Sequence, residues 1–417
     1  MKLSIPHEHY RLDNGLQVVL APDATLPQVV VNLWMDVGSK DEPQGRTGFA
    51  HLFEHLMFMG TDRVPGAGFD HAMEAHGGWN NAWTSEDATD YYEVGPSGLL
   101  ETLLWLEADR LQALGQSMTQ EKLDLQREVV RNERRQSYEN APYGPLWLEL
   151  PEAMFPPEHP YGHPVIGSHE DIIAAGVQDV RDFFSTWYVP NNASLVVAGD
   201  LDTTQARAAI ERFFGEIQAR PLPDRPRVAP VTHPVKTRVD IRDQVQVPMG
   251  VLAWHSPGAL QPGDAELDLV SGILAGGEAS RLTRGLVDTG LALEVDANQY
   301  SQTLGSVFMI EFKPAPGHDL DELRGLVLEQ LRRLAQQGPT AEELEREQNQ
   351  LELRFLHQLE SLHSRASALN RYLVQMGTPD GLERDLDRYR KASVEGVRQA
   401  AASLGEERLC ELRVLPR

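Results

Sequence analysis

His51 and His55 stand four residues apart, so on a helix they share one face, and Glu54 falls between them in the same turn. Two imidazoles and a carboxylate in that register make half of a zinc site with a general base attached. The stretch from Gly48 to Gly60 is otherwise apolar and holds no helix breaker between those glycines, which predicts a largely buried helix. Burying three polar side chains is costly unless each is satisfied, and a metal ion is one way to satisfy them. The competing arrangement is a helix with two core histidines, each meeting a local hydrogen bond, and Glu54 at the rim. A third ligand decides between the two.

A zinc ion held by two histidines needs a third protein donor, and a catalytic site keeps its fourth position open to water. The single cysteine, Cys410, lies in what reads as a terminal strand and excludes an intrachain disulfide or a cysteine-based metal site. A charged helical stretch downstream offers Glu121, Asp124, Glu128, Glu133 and Glu139. Spacing alone does not choose among them, and most must be solvated.

The elements that would position these groups fall into two halves. At 417 residues the chain exceeds one ordinary core. Residues 219–236 are rich in Pro and Arg and predict an extended linker between residues 1–218 and 237–417. The first half opens with a hairpin around Asp13-Asn14-Gly15 and continues with a buried strand over Gln28–Met35, followed by the His/Glu helix. In the second half, Val247-Pro248-Met249-Gly250-Val251-Leu252 looks like a copy of Leu26-Pro27-Gln28-Val29-Val30-Val31, and an amphipathic helix over Ala265–Leu274 follows. Apolar residues at three- and four-residue spacing predict helices over Leu99–Leu114, Gln120–Glu139, Asp319–Gln337 and Ala341–His363. Strands followed by helices without strict alternation predict an α+β fold of two homologous domains, each an antiparallel-rich sheet packed with helices. Only the first carries a His/Glu cluster, since Asp268-Leu269-Val270-Ser271 stands at the matching place, so one metal per chain is expected.

The net charge, 38 minus 62 or −24, argues against a nucleic-acid partner, because phosphate binding needs clustered Lys and Arg. There is no apolar run of about 18 residues to span a bilayer, and residues 1–6 as they stand are not a signal peptide. The sequence does not choose between a periplasmic and a cytoplasmic location.

Together these segments resemble the insulinase/pitrilysin family of zinc peptidases, whose inverted His-x-x-Glu-His motif is followed by a distant glutamate ligand. Matched on Val129-Val130 and the run after it, that ligand falls on Glu133. Further resemblance is carried by Asp13-Asn14-Gly15-Leu16, Gly77-Gly78-Trp79-Asn80-Asn81-Ala82-Trp83-Thr84, Asp87-Ala88-Thr89-Asp90-Tyr91, Asn140-Ala141-Pro142-Tyr143-Gly144, His159-Pro160-Tyr161-Gly162, Ile166-Gly167-Ser168, Asn191-Asn192-Ala193, Arg371-Tyr372 and Gly377-Thr378-Pro379-Asp380. The resemblance implies zinc held by His51, His55 and Glu133, with Glu54 as general base for metal-activated water. It also implies an edge strand near Asn81 and Ala82 that pairs with extended peptide, and a chain that works as a dimer.

Two departures stand out. Relatives commonly carry a second glutamate seven residues before the ligand, where this chain has Gln126. Many also place an Arg and a Tyr in the segment 280–293 to hold substrate; anchored on Gly290-Leu291-Ala292, those places fall on Leu286 and Leu293, with Arg281 and Arg284 nearby. The chain is therefore expected to be the metal-bearing subunit of a heterodimer whose homologous partner supplies Arg and Tyr. The main expectation is a zinc endopeptidase cleaving peptides or unfolded segments. The alternatives are a catalytically weak or inactive scaffold subunit of the same fold and a metal-dependent hydrolase of small molecules. His7, His9, His71, His76, His163 and His255 are assigned to surface or satisfied core, and Trp79 and Trp83 to packing.

Overall fold

A computed structural model describes residues 3–225 and 227–417; Met1, Lys2 and Pro226, the last within the expected linker, lie outside the described residues. Two sheets organise the chain. In the first, β1 (Glu8–Arg11), β2 (Gln17–Pro22), β3 (Gln28–Met35), β4 (Trp79–Thr84), β5 (Thr89–Pro96) and β6 (Ala193–Gly199) lie in the order β1-β2-β6-β3-β5-β4. In the second, β7 (Arg238–Asp243), β8 (Met249–Ser256), β9 (Ala292–Tyr300), β10 (Ser306–Pro314) and β11 (Cys410–Pro416) lie in the order β7-β11-β8-β10-β9. Without β1, the two orders coincide. Each has one parallel pair, β2 with β6 and β7 with β11, and the remaining neighbours are antiparallel. The paired Val29–Val31 and Met249–Leu252 segments occupy β3 and β8, the corresponding strands. The α+β duplication read from the sequence is therefore present as topology.

Local chemistry explains the first hairpin. Gly15 adopts φ 93°, a left-handed value that side chains disfavour, and Leu12 N–H donates to Leu16 O at 3.0 Å to close the turn.

Two compact units each gather segments that are discontinuous in sequence. One unit gathers Met1–Asn132, Pro164–Pro226 and Leu356–Arg384, and the other Glu133–His163, Arg227–Phe355 and Asp385–Arg417. Each sheet thus recruits a helix from the opposite half of the sequence. Helix Leu362–Met376 lays Ala366, Leu369 and Leu373 on Val19, Val30, Val94 and Val196 of the first sheet. Helix Pro145–Met154 lays Leu146, Leu150 and Met154 on Met249, Val251, Met309 and Leu412 of the second. Burying a continuous apolar helix face is worth roughly 25 cal/mol per Å², which makes these attachments as much part of each core as the strands. A polar seam accompanies the first: Asn370 donates to Asn32 O at 3.0 Å, and Asn32 donates to Asp90 Oδ1 at 2.6 Å.

Two expected helices end differently. The stretch predicted over Ala341–His363 stops at Gln358, and a new helix starts at Leu362, where the Ser361 side chain accepts from Ser364 N–H as an N-cap. Helix Gln120–Arg134 passes into a single π-helical turn over Arg135–Glu139. Residues 219–236 form no helix or strand among those described, as their prolines dictate, yet they are tethered. Arg225 pairs with Asp36 at 2.7 Å and Asp41 at 2.8 Å, and Lys236 N–H donates to Ala153 O at 3.0 Å.

Candidate metal centre

The His/Glu helix, Phe49–Leu56, is amphipathic in three dimensions. Phe49 and Phe53 face Phe183, Phe184 and Tyr188, with the Phe53 and Tyr188 ring centroids 4.3 Å apart, while His51, Glu54 and His55 stay half-buried on the other side. Its start is pinned by residues far apart in sequence. The buried Glu42 carboxylate accepts from Gly48 N–H at 2.9 Å and Ala50 N–H at 2.7 Å, satisfying first-turn donors at the positive end of the helix. Desolvation dominates there and pushes the Glu42 carboxyl well above its usual range. Asp171 accepts from both Thr47 N–H, at 3.0 Å, and Thr47 Oγ1, at 2.6 Å. Gly48 and Gly167 meet back to back: a Cβ on Gly167 would fall 2.3 Å from Gly48 N, which explains the Ile166-Gly167-Ser168 motif as a close approach of two backbones.

The third acid comes from helix Gln120–Arg134. Leu123 and Val130 bury one face, and Lys122 caps Gly60 O at 2.9 Å. Of the five acids open to sequence reasoning, Glu121, Asp124 and Glu128 are exposed; Asp124 pairs with Arg127 at 2.6 Å and Glu128 with Arg131 at 2.5 Å. Glu139 pairs with Arg134 at 3.0 Å. Glu133 lies in the last turn of the same continuous helix, and one ligand atom from each of His51, His55 and Glu133 lies within 4.8 Å of the others. The His51 and His55 ring centroids are 4.8 Å apart. Two imidazoles and one carboxylate, half-buried and converging on one point, fit the donor chemistry of a three-ligand zinc site.

Around this cluster the remaining expected residues take distinct places. Glu54 Oε2 accepts from Thr84 Oγ1 at 2.5 Å, a contact the sequence did not reveal because thirty residues separate the two. Asn81 and Ala82 sit in β4, the outermost strand of the sheet, opposite Tyr92 and Tyr91 of β5. Gln126 donates to Met59 Sδ at 2.8 Å, beyond the end of the His/Glu helix.

Under β4 and β5 lies a buried charge cluster. The Arg110 guanidinium, 2% exposed, pairs with Glu93 at 2.8 Å and with Glu107, and stacks on Phe69 and Tyr91. Desolvation, then the Glu107 charge, push the Glu93 carboxyl well above its usual range. Nothing in the local sequence signals this cluster, because Glu93, Glu107 and Arg110 look like ordinary strand and helix charges.

In the second unit, Leu286 is 2% exposed and Leu293 51% exposed. Arg281 is committed to Glu343, at 2.7 and 2.8 Å, and to Gly338 O, whereas Arg284 is exposed. The two positions expected to lack Arg and Tyr thus carry one core leucine and one surface leucine. Among the described residues no helix is long and apolar enough to cross a membrane.

Comparison with known proteins gives a consistent picture. Residues 17–163 match the family described as Insulinase (Peptidase family M16), and residues 175–351 match the Peptidase M16 inactive domain. The chain is 29% identical over 374 residues to a zinc protease, PqqE, of Helicobacter pylori, covering 88% of this chain and 84% of that protein. It is 25% identical over 405 residues to the uncharacterized zinc protease YmxG of Bacillus subtilis, covering 96% of each. A crystal structure of a protease from Helicobacter pylori superposes with a TM-score of 0.89 at 26% identity, covering 99% of this chain and all of that one.

Proposed function

The chain belongs to the insulinase family, peptidase family M16, and from that premise we propose that it is a zinc-dependent endopeptidase acting on peptides or unfolded polypeptide segments. The observation that carries the reading is the convergence of His51, His55 and Glu133 beside Glu54. In this reading those three residues hold one zinc ion per chain. The ion, when bound, would supply Lewis acidity that polarises the scissile carbonyl and lets water give up a proton near neutral pH. Glu54 takes the proton of the attacking water on its carboxylate and passes it to the leaving nitrogen. The outer edge of β4, at Asn81 and Ala82, accepts the substrate as an added strand, and main-chain pairing of that kind selects extended chains over folded ones. Gln126 tunes the surroundings of the Glu133 helix without a second negative charge.

The chain works as a dimer in this reading, with a homologous subunit supplying the Arg and Tyr that Leu286 and Leu293 do not. The burial of Leu286 and the engagement of Arg281 with Glu343 support it. A second reading, a scaffold subunit with little or no turnover, draws on the match of residues 175–351 to the inactive-domain family. Copurification from the native source with metal analysis, followed by cleavage of an unstructured fluorogenic peptide, separates them. One zinc per chain and turnover that rises when a homologous subunit is present are expected. Zinc binding without turnover in the copurified assembly would favour the scaffold.

A further inference from the structure

The geometry points to Thr84 as a positioning residue that ties the substrate edge strand to the general base, an inference that rests on the role given to Glu54 above. Thr84 is the last residue of β4, and its Oγ1 donates to Glu54 Oε2 at 2.5 Å. A hydroxyl donating to a carboxylate at that range is among the stronger kinds of hydrogen bond, and it restricts a side chain that otherwise has three rotatable bonds.

The donor is itself immobilised. Thr84 pairs with Thr89 across a short turn, in which Ser85 N–H donates to Ala88 O at 2.9 Å and Ser85 Oγ accepts from Asp87 and Ala88 N–H, both at 3.2 Å. The segment after β3 clasps this turn: Ser39 N–H donates to Ser85 O at 3.1 Å and Lys40 N–H to Glu86 O at 3.0 Å, while Thr89 Oγ1 donates to Val37 O at 2.9 Å. The approach is so close that a Cβ on Gly38 would fall 2.4 Å from Glu86 O. Trp83 packs edge-on to Trp34 with centroids 5.0 Å apart. Thr84 is therefore held in place by its own strand and turn, and a pre-set donor of this kind is what keeps a catalytic carboxylate within productive geometry. Since the same strand is the edge offered to substrate, one rigid segment sets both peptide register and base orientation.

The test compares wild type, Thr84→Val, Thr84→Ser, Glu54→Gln and the Glu54→Gln/Thr84→Val double variant. In the zinc-loaded protein, Thr84→Val is expected to lower kcat about 10- to 100-fold, the range typical of outer-shell partners, with KM and zinc content little changed. Thr84→Ser, which keeps the hydroxyl, is expected to restore most of the rate, and in the Glu54→Gln background Thr84→Val should add no further loss. Crystals of metal-free Thr84→Val should show the Glu54 carboxylate displaced while β4 and the imidazoles superpose on wild type. An unmoved Glu54 with undiminished kcat would overturn the assignment, and so would a defect confined to KM that the serine variant fails to rescue. If wild type itself cleaves no peptide, the peptidase reading falls, while the metal-free crystals still decide whether Thr84 holds Glu54.

Discussion

The two sheets share one topology but differ in the side chains set on the helix that follows β3 in one and β8 in the other. In the first unit the helix after β3 starts at Gly48, with φ 82°, and presents His51, Glu54 and His55; in the second the helix after β8 starts at Gly263, with φ 96°. Counted from those glycines, the places of Glu54 and His55 hold Leu269 and Val270, both fully buried. The partner helices match as well, each opened by a threonine hydroxyl, Thr119 accepting from Lys122 N–H and Thr340 from Glu343 N–H. From these caps, Glu133 corresponds to Arg354 and Gln126 to Glu347. The acids near that place in the second unit meet built-in cations and donors, as Glu93 and Glu107 meet Arg110 in the first. Arg388 binds Asp264 at 3.0 Å and Asp385 at 2.8 Å, Tyr389 donates to Asp268 at 2.8 Å, and Arg346 donates to Glu347 at 2.9 Å. A guanidinium on the chain satisfies a buried carboxylate but offers no open coordination position, whereas in the proposed reading the His51/His55/Glu133 cluster gives its donors to an exchangeable ion. Chemistry therefore follows from a few side chains on an otherwise repeated scaffold.

The sharpest way to break this contrast is Glu54→Gln, which should cut turnover about 10²- to 10⁴-fold, the span of general acid–base catalysis, while zinc stays bound. Unchanged turnover in that variant would leave the first unit chemically no different from the second. Glu133→Gln should next remove the ion, with affinity falling more than the roughly 10- to 100-fold typical of outer-shell changes and circular dichroism unaltered. Metal analysis after dialysis reads it, and full zinc retention would point to a different third donor. In the second unit, Arg388→Ala should cost about 3 kcal/mol of stability by leaving Asp264 and Asp385 without their cation, with zinc stoichiometry unaffected. Urea unfolding measures it, and a negligible loss would mean that the built-in cation is not what stabilises those acids.

The smallest expected effect is a pH dependence. Burial, opposed by the Tyr389 hydrogen bond, pushes Asp268 from 3.8 to about 7. The folded state thus holds this proton more tightly than the unfolded chain, so its stabilising contribution is complete below about pH 4 and is lost as pH rises through about 7. Asp268→Asn stays uncharged throughout, and wild type should lose about 2 kcal/mol between pH 5 and pH 8 that the variant keeps. Parallel stability profiles for the two proteins would place the Asp268 titration outside that window.

Much of this was legible before any fold was known. The His51/Glu54/His55 register follows from helical spacing, the hairpin from the Asn14-Gly15 turn chemistry, and the β3/β8 resemblance from two like segments of the sequence. The choice of Glu133 among five acids was not legible from spacing; the resemblance supplied it, and the fold separates it from Asp124 and Glu128 by pairing those with Arg127 and Arg131. The contacts of Glu42 with Gly48 and Ala50, of Asp171 with Thr47 and of Thr84 with Glu54 were not legible, because no residue type or spacing announces them.

What the sequence determined by itself was the set of local identities: which residues share a helical face, where turns close, and that the chain repeats an α+β pattern. Only tertiary structure decided the exchange in which Leu362–Met376 serves the first sheet and Pro145–Met154 the second, and which scattered groups hold the His/Glu helix at its start. The reason is physical: periodicity is set by bonds between neighbours, whereas the helix that covers a given sheet face is selected by the apolar area it buries there, a quantity that depends on the whole folded chain.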